Sequence, residues 1–519
     1  MKTAEKLKRV GCCESGINPK AVYDFVKNCE ERNLGLDMFM LLKGGKVVAE
    51  GYYPPYNEDT RHVLYSMSKS FTATALGFAI EEGKVALSDS ISKFFPEYDK
   101  KGKNKNITVR HLVTMTAGKM IGMATVRTNK DWIKIFFDSM SIAKPGKIYL
   151  YTNDNFYMLS AIVSKVTGMT LADYLYEKLF VHLDIEKPTW ETDKFGYASG
   201  GWGLYMKLED QAKVMQCYAN GGVWNGKQII PAEWVKQATT FQVPTLKHGQ
   251  IDVTKGYGYG FWRTSLPNTY RAYGLYGQNG YVFEDKDTVL IVNAGISKDA
   301  LMCEAINEMY KTLWDEPEEE YEEKLKELLS SLGDKDDLPV QVRNERLENE
   351  ICDKSHHTYI PTTFSSMLHA TMTAVMNDKT GYLKSIFFRK DENNDMYLEW
   401  TEAGHTNKIK LGFDNKYECT PVKLSGLDYH IHTKAAWTSG KVLTVYLRIE
   451  EACHLRVLEF DFSGKMPIIR NNSYPDMPTL AAHYVDFSGF ELPNPLEKLL
   501  IKVIAPAVLL VGEPNYIVK

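Results

Sequence analysis

The sequence predicts an α+β fold over residues 1–314 and a small all-β barrel or sandwich over residues 338–519. Three observations carry this prediction. Strand-like runs stand at both ends of the first part with helical periodicity between them, an acidic stretch follows at 315–337, and short alternating runs recur beyond it. Residues 37–53, DMFMLLKGGKVVAEGYY, read as two strands around a Gly-Gly turn, with imperfect alternation. Over 71–82 the period changes. Phe71, Ala75, Leu76, Ala79 and Ile80 fall on one helical face, and Gly83 ends the run. Helices are expected at 155–166 and 171–179 around Thr167-Gly168, at 208–219 before Asn220-Gly221-Gly222, and at 231–238, where Pro231 suits a first helical position. After Gly256 the segments GYGYGFWR, YRAYGLYG, GYVFED and TVLIVNAGI read as successive antiparallel strands, with Asp285-Lys286-Asp287 as a polar turn and a helix at 304–314 beyond them. Residues 315–337, DEPEEEYEEKLKELLSSLGDKDD, read as a solvated helix and linker, hence a domain boundary. The later runs LKSIFFRK, MYLEWTEA, KIKLGF, YHIHT, VLTVYLRI and LRVLEFDF, separated by polar turns, predict the all-β domain.

Composition excludes several function classes. A chain of 519 residues with a 44% hydrophobic fraction holds more than one core. Its net charge of −4 leaves no basic excess to neutralise phosphates, so no nucleic-acid partner is expected. Eight cysteines without a CxxC pair support neither a zinc ribbon nor a thioredoxin-type site. The first residues, MKTAEKLKRVGCCESG, lack the apolar run of a secretory signal, so the expectation is a cytoplasmic protein with reduced thiols. The longest apolar stretch, 499–511, is interrupted by Lys502 and Pro506 and is shorter than the ~20 residues that span a bilayer. It reads as a buried helix or strand, with no membrane partner. Gly256-Tyr-Gly258-Tyr-Gly260 precedes no helix and is not a phosphate cradle. His430 and His432 share a strand face without a third ligand nearby, and His356-His357 is similar, so neither a metal nor a cofactor is expected.

Three constellations carry chemistry. The first is Ser66-Met67-Ser68-Lys69, an S-x-x-K at the start of the amphipathic helix. There Lys69 shares a face with the Ser66 hydroxyl, and the helix N-terminus favours a neutral lysine and a developing oxyanion. The same tetrad equally fits an N-capping serine beside a surface lysine. Two further matches are less favourably placed: Ser90/Lys93 lies in a polar turn, and at Ser141/Lys144 the lysine precedes Pro145. The second constellation is Tyr151-Thr152-Asn153 after Pro145-Gly146, where a phenol could relay protons or be an ordinary buried tyrosine. A second Y-x-N, Tyr218/Asn220, reads instead as a helix C-cap. The third is Gly274-Leu275-Tyr276-Gly277-Gln278, in which a glycine would let another backbone or a ligand approach closely and a strand edge could donate an N–H to an oxyanion. A glycine-containing strand in a packed sheet fits it as well.

In chain order, YSMSKSFTATALG, ITVRHLVTMTAG, the Pro145-Gly146 to Asn153 segment, GGWGLYMKLEDQAKVM and YGLYGQNGYVF make residues 20–312 resemble the serine β-lactamase-related hydrolases. These include class C β-lactamases, D-alanyl-D-alanine peptidases, D-aminopeptidases, esterases and 6-aminohexanoate-dimer hydrolases. The resemblance implies a β-lactamase-like domain, an antiparallel sheet flanked by helices plus a helical subdomain. By position it implies Ser66 as the acylated nucleophile, Lys69 as its partner, Tyr151 as acid/base and Asn153 as a contact to the substrate amide. Leu275-Tyr276-Gly277 stands at the substrate-binding third motif, and the N–H groups of Ser66 and Gln278 form the oxyanion hole. β-Lactamases have lysine where this chain has Leu275, a departure that points away from carboxylate-bearing substrates and towards the esterase and 6-aminohexanoate-dimer branch. The expectation is a serine hydrolase acting on a small ester, amide or peptide. Its rivals are a peptidase or amidase for D-amino acids and a silent binding protein on the same fold. The C-terminal β domain is expected to form a lid or to mediate assembly as a homo-oligomer.

Overall fold

The computed structural model describes residues 5–119, 131–245, 251–336, 338, 343–352, 354–357, 365–369, 380–424, 426–476 and 516–517. The apolar stretch at 499–511 lies outside the described residues. The central sheet has six antiparallel strands in the order Lys46–Tyr52, Leu36–Lys43, Thr288–Ala294, Gln278–Phe283, Thr269–Gly274 and Trp262–Arg263. The 37–53 hairpin therefore inserts beside strands that lie far along the chain. Its imperfect alternation has a physical cause: both faces are covered. Met38, Met40 and Leu42 share a core with Met67, Phe71 and Met215 of the helical side. Phe39 and Leu41 face the other way, into a core with Val22 and Phe25 of helix Pro19–Glu31 and Met302 and Ile306 of helix Asp299–Thr312. A strand buried on both faces reads as a continuous apolar run.

Helix Ser68–Glu81 lies in the first of these cores and is buried from Ser68 to Ala79. Helices Asn153–Thr167 and Leu171–Lys178 contribute to the same core, forming a helical layer around it. Two expected elements differ. Of GYGYGFWR, only Trp262–Arg263 is a strand. The segment before it is irregular because it runs against the end of helix Ala232–Thr239: a Cβ on Gly258 would stand 2.0 Å from the Ala238 carbonyl oxygen. The acidic stretch forms helix Glu320–Ser330, and it is docked rather than free. Leu325, Leu328, Leu329 and Leu332 recur at helical spacing and join the core with Pro19–Glu31, while the Glu322 carboxylate accepts the backbone N–H groups of Cys12 and Cys13. The charge density of the stretch masks this apolar stripe.

Beyond it stand two antiparallel sheets. One runs Ser355–His357, Ser385–Lys390, Met396–Glu402, His405–Lys410; the other runs Glu418–Leu424, Leu427–Ser439, Val442–Ile449, Leu455–Asp461, Ile468–Tyr474, Tyr516–Ile517. Phe388, Leu398 and Trp400 of the first enclose one core with Ile431, Val445 and Phe460 of the second. His430 and His432 bond to Glu451 and Glu450 at 2.7 and 2.9 Å. The eight cysteines are free thiols. Among the described residues no helix is long and apolar enough to cross a membrane.

Polar and apolar contacts tie the C-terminal sheets to the rest of the chain: Val63, Tyr65, Tyr205 and Tyr276 share the core of those sheets. Arg448 holds Asp336 of the linker in a two-pronged ion pair at 2.5 and 2.6 Å, and its Nη1 donates to the Tyr56 hydroxyl at 3.2 Å. The Tyr429 hydroxyl meets that of Tyr205 at 2.9 Å and the Glu191 carboxylate at 3.2 Å. Glu191 keeps its bond to Tyr205 when this hydroxyl is removed. Tyr429→Phe should therefore lower stability by only about 1 kcal/mol, read as a reduced urea midpoint at unchanged slope.

Candidate active site

The turn before the helix begins with Tyr65, whose φ of +44° lies in the left-handed region. For a residue with a Cβ that conformation costs roughly 1–2 kcal/mol. It leads through the single 3-10 turn Tyr65–Met67 into helix Ser68–Glu81, placing half-buried Ser66 at the helix start and Lys69 in its first turn. Lys69 is only 1% exposed. Its Nζ lies 2.9 Å from Ser66 Oγ and donates to Asn153 Oδ1 and the Gly201 carbonyl oxygen, both at 2.7 Å. Burial pushes its ammonium well below the usual lysine range, and the nearby Asp154 carboxylate opposes this. A neutral amine has two N–H bonds and one lone pair. The two carbonyl oxygens take the N–H groups, and the lone pair is left for the Ser66 hydroxyl proton.

Asn153 is the first residue of helix Asn153–Thr167. Among the described residues its Nδ2 has no hydrogen-bond partner, so that group is the part left for a ligand. The Tyr151 ring is half-buried 4.8 Å from Lys69 Nζ and is held against Trp262 at 5.4 Å and Tyr257 at 6.3 Å. Ser66, Tyr151 and Asn153 thus gather around the Lys69 amine nitrogen.

The third motif is the turn of a hairpin. Gly274 ends one strand, Gln278 starts the next and pairs with it, and Leu275-Tyr276-Gly277 connects them. A Cβ on Gly274 would lie 2.2 Å from the Leu64 carbonyl oxygen and 3.1 Å from Met67 N, so this strand end rests on the backbone that carries Ser66. The Gln278 side chain is fully buried and already occupied: Nε2 donates to Ala294 O at 2.7 Å, and Oε1 accepts from Asn293 at 3.1 Å. Its backbone is what remains for an oxyanion. Leu275 is half-buried against the core of the C-terminal domain. Tyr276, expected at the substrate, is 1% exposed and packs edge-on against Tyr65 and His454.

Sequence reasoning assigned no role to Gly201. Its carbonyl completes the lysine's contacts, and a Cβ there would come within 2.9 Å of the Asn153 carbonyl oxygen. The Gly200-Gly201 pair within GGWGLYM is the trace of that close approach. Of the other S-x-x-K matches, Ser141 and Lys144 are both exposed. Ser90 caps the short helix Ile91–Phe94 and Lys93 pairs with Asp89. Asn220 is the C-cap of helix Leu208–Ala219.

A sheet backed by helices, with a serine and a buried lysine at the start of the central helix, defines the serine hydrolases of β-lactamase-like fold. Residues 31–300 match the model of the Beta-lactamase family, and the chain belongs to that family. It is 26% identical over 222 residues to the 6-aminohexanoate-dimer hydrolase of Paenarthrobacter ureafaciens, covering 38% of this chain and 56% of that one. It is 30% identical over 184 residues to a Beta-lactamase of Escherichia coli, covering 31% and 48%. The chain therefore spans about half the length of these curated relatives. A solved structure from Bacillus anthracis, provisionally assigned as a 6-aminohexanoate-dimer hydrolase, shares the fold at TM-score 0.50 and 18% identity, over 60% of this chain and 87% of that one.

Proposed function

We propose that the chain hydrolyses a small ester or amide through an acyl-enzyme on Ser66. The observation that carries this reading is the lysine held between two carbonyl oxygens and the serine hydroxyl. Neutral Lys69 takes the hydroxyl proton as Ser66 Oγ attacks the substrate carbonyl carbon. The N–H groups of Ser66 and Gln278 receive the oxyanion. As the intermediate collapses, the bond to the leaving group breaks and that group takes a proton by way of Tyr151. Water, deprotonated by the same groups, then releases the acid and restores Ser66. Asn153 Nδ2 orients the substrate amide or ester, and the apolar Leu275 favours substrates without a carboxylate beside the scissile bond. The similarity to a 6-aminohexanoate-dimer hydrolase supports the amide half of this range.

A fluorophosphonate probe should add its mass to the peptide containing Ser66 and leave a Ser66→Ala variant unlabelled. Equal labelling of that variant would end the assignment. In a panel of p-nitrophenyl esters, uncharged amides, D-amino-acid anilides and benzylpenicillin, turnover should favour the esters and uncharged amides. Preferred turnover of D-amino-acid anilides would move the reading to a peptidase. Absence of any burst with activated esters would leave a silent binding protein.

A further inference from the structure

The C-terminal domain reaches the back of the nucleophile turn. Residues 450–454 insert there. Val63 N–H donates to Glu451 O at 2.8 Å, the Tyr56 hydroxyl donates to Ala452 O at 2.9 Å, and Gly295 leaves room for the Cys453 carbonyl. His454 follows, and its Nε2 lies 2.5 Å from the hydroxyl of Tyr65, the residue preceding Ser66. Its ring also meets Tyr276 edge-on at 5.0 Å, and Tyr65 and Tyr276 meet each other at 5.5 Å. On its far side His454 is stacked parallel to His369 at 3.8 Å, whose Nε2 donates to the Pro475 carbonyl at 3.0 Å. All four rings are buried.

Tyr65 and Tyr276 are both non-glycine residues in the left-handed region, at φ +44° and +65°. Such conformations persist only where their surroundings hold them. One of them leads into Ser66, and the other forms the turn before Gln278. We infer that His454 is a positioning residue: by accepting the Tyr65 hydroxyl and buttressing Tyr276 it holds Ser66 and the Gln278 strand in register, so the active site is complete only with the C-terminal domain docked. This rests on the assignment of Ser66 as nucleophile. Burial keeps His454 and His369 in their neutral forms, which suits Nε2 as an acceptor and lets the two rings stack without like-charge repulsion.

The test uses the full chain and the rate constant for acylation by p-nitrophenyl acetate. His454→Ala and Tyr65→Phe should each slow acylation about tenfold with KM within about twofold, because a small misplacement of reacting groups acts on the chemical step. The double variant should be no slower than the slower single one, as for two members of one contact. His454→Gln, which offers a carbonyl oxygen to the Tyr65 hydroxyl, should recover much of the rate. His369→Ala, which loses stacking without touching that hydroxyl, should lower Tm with a smaller loss of rate. Wild-type acylation in a folded His454→Ala variant overturns the inference, as do multiplicative losses in the double variant or losses that merely track Tm across all variants. Fluorophosphonate labelling of the wild type at Ser66 keeps that outcome separate from failure of the nucleophile assignment. If the wild type is not labelled at Ser66, both fall together.

Discussion

Lys69→Met is expected to slow acylation of Ser66 by about 10²- to 10⁴-fold, the range for loss of a general base in contact with its nucleophile. Methionine is chosen because it fills the buried space of the lysine stem without a titratable group. The Asn153 and Gly201 carbonyls lose a donor, so unfolding must be followed alongside activity. The measurement is the second-order rate constant for fluorophosphonate inactivation. An unchanged rate in a folded variant would remove Lys69 from the base role and leave it as a structural tether.

The same substitution has a pH signature whose sign follows from burial. Folding lowers the Lys69 pKa below its ordinary value of 10.5. Acylation in the wild type should therefore rise with pH along a limb centred below 10.5, and that limb should be missing from Lys69→Met. Stability follows the same direction. Between the lowered folded pKa and 10.5 the unfolded chain binds more protons than the native state, so stability rises with pH across that window and falls as pH drops through it. Above the unfolded value and below the folded value the contribution is flat. Urea unfolding at several pH values isolates it as the difference in slope between wild type and variant, since all other groups are shared.

How far this site was legible in the sequence depends on the range of each contact. Ser66 and Lys69 are one helical turn apart, and their meeting is a local property of the tetrad. The 37–53 hairpin was legible because its turn is local too. Tyr151 and Asn153 became readable only through the order of motifs, since nothing in Y-x-N says which lysine it will meet. Gly201 went unassigned because its carbonyl matters only once a loop crosses the start of helix Asn153–Thr167. The sequence of helix Glu320–Ser330 reads as solvated because its charges outnumber a leucine stripe that is itself regular. His454 could not be read at all: it stands in a domain without recognisable chemistry, and its importance comes from a tyrosine that the chain places in another domain.

Gly274→Ala is expected to damage both stability and catalysis, and the cause is isolated by its backbone. At φ −133° and ψ 155°, Gly274 has an ordinary extended conformation that alanine adopts freely. The new Cβ, however, would lie 2.2 Å from the Leu64 carbonyl oxygen and 3.1 Å from Met67 N. Both are backbone atoms of the turn that presents Ser66, so neither can rotate away as a side-chain tip would. The strand and the turn must separate. The expected cost is about 1–3 kcal/mol for overpacking, with acylation about a hundredfold slower because a displacement near 1 Å breaks the attack geometry. Gly83→Ala supplies the opposite case: φ is +67° with nothing within 4 Å of the added Cβ, so only conformational strain of roughly 1–2 kcal/mol applies, and acylation should be unaffected. Two glycine substitutions of similar thermal cost would then differ in rate. If they do not, the contact between Gly274 and the nucleophile turn is not what sets the distance from Ser66 to the Gln278 strand.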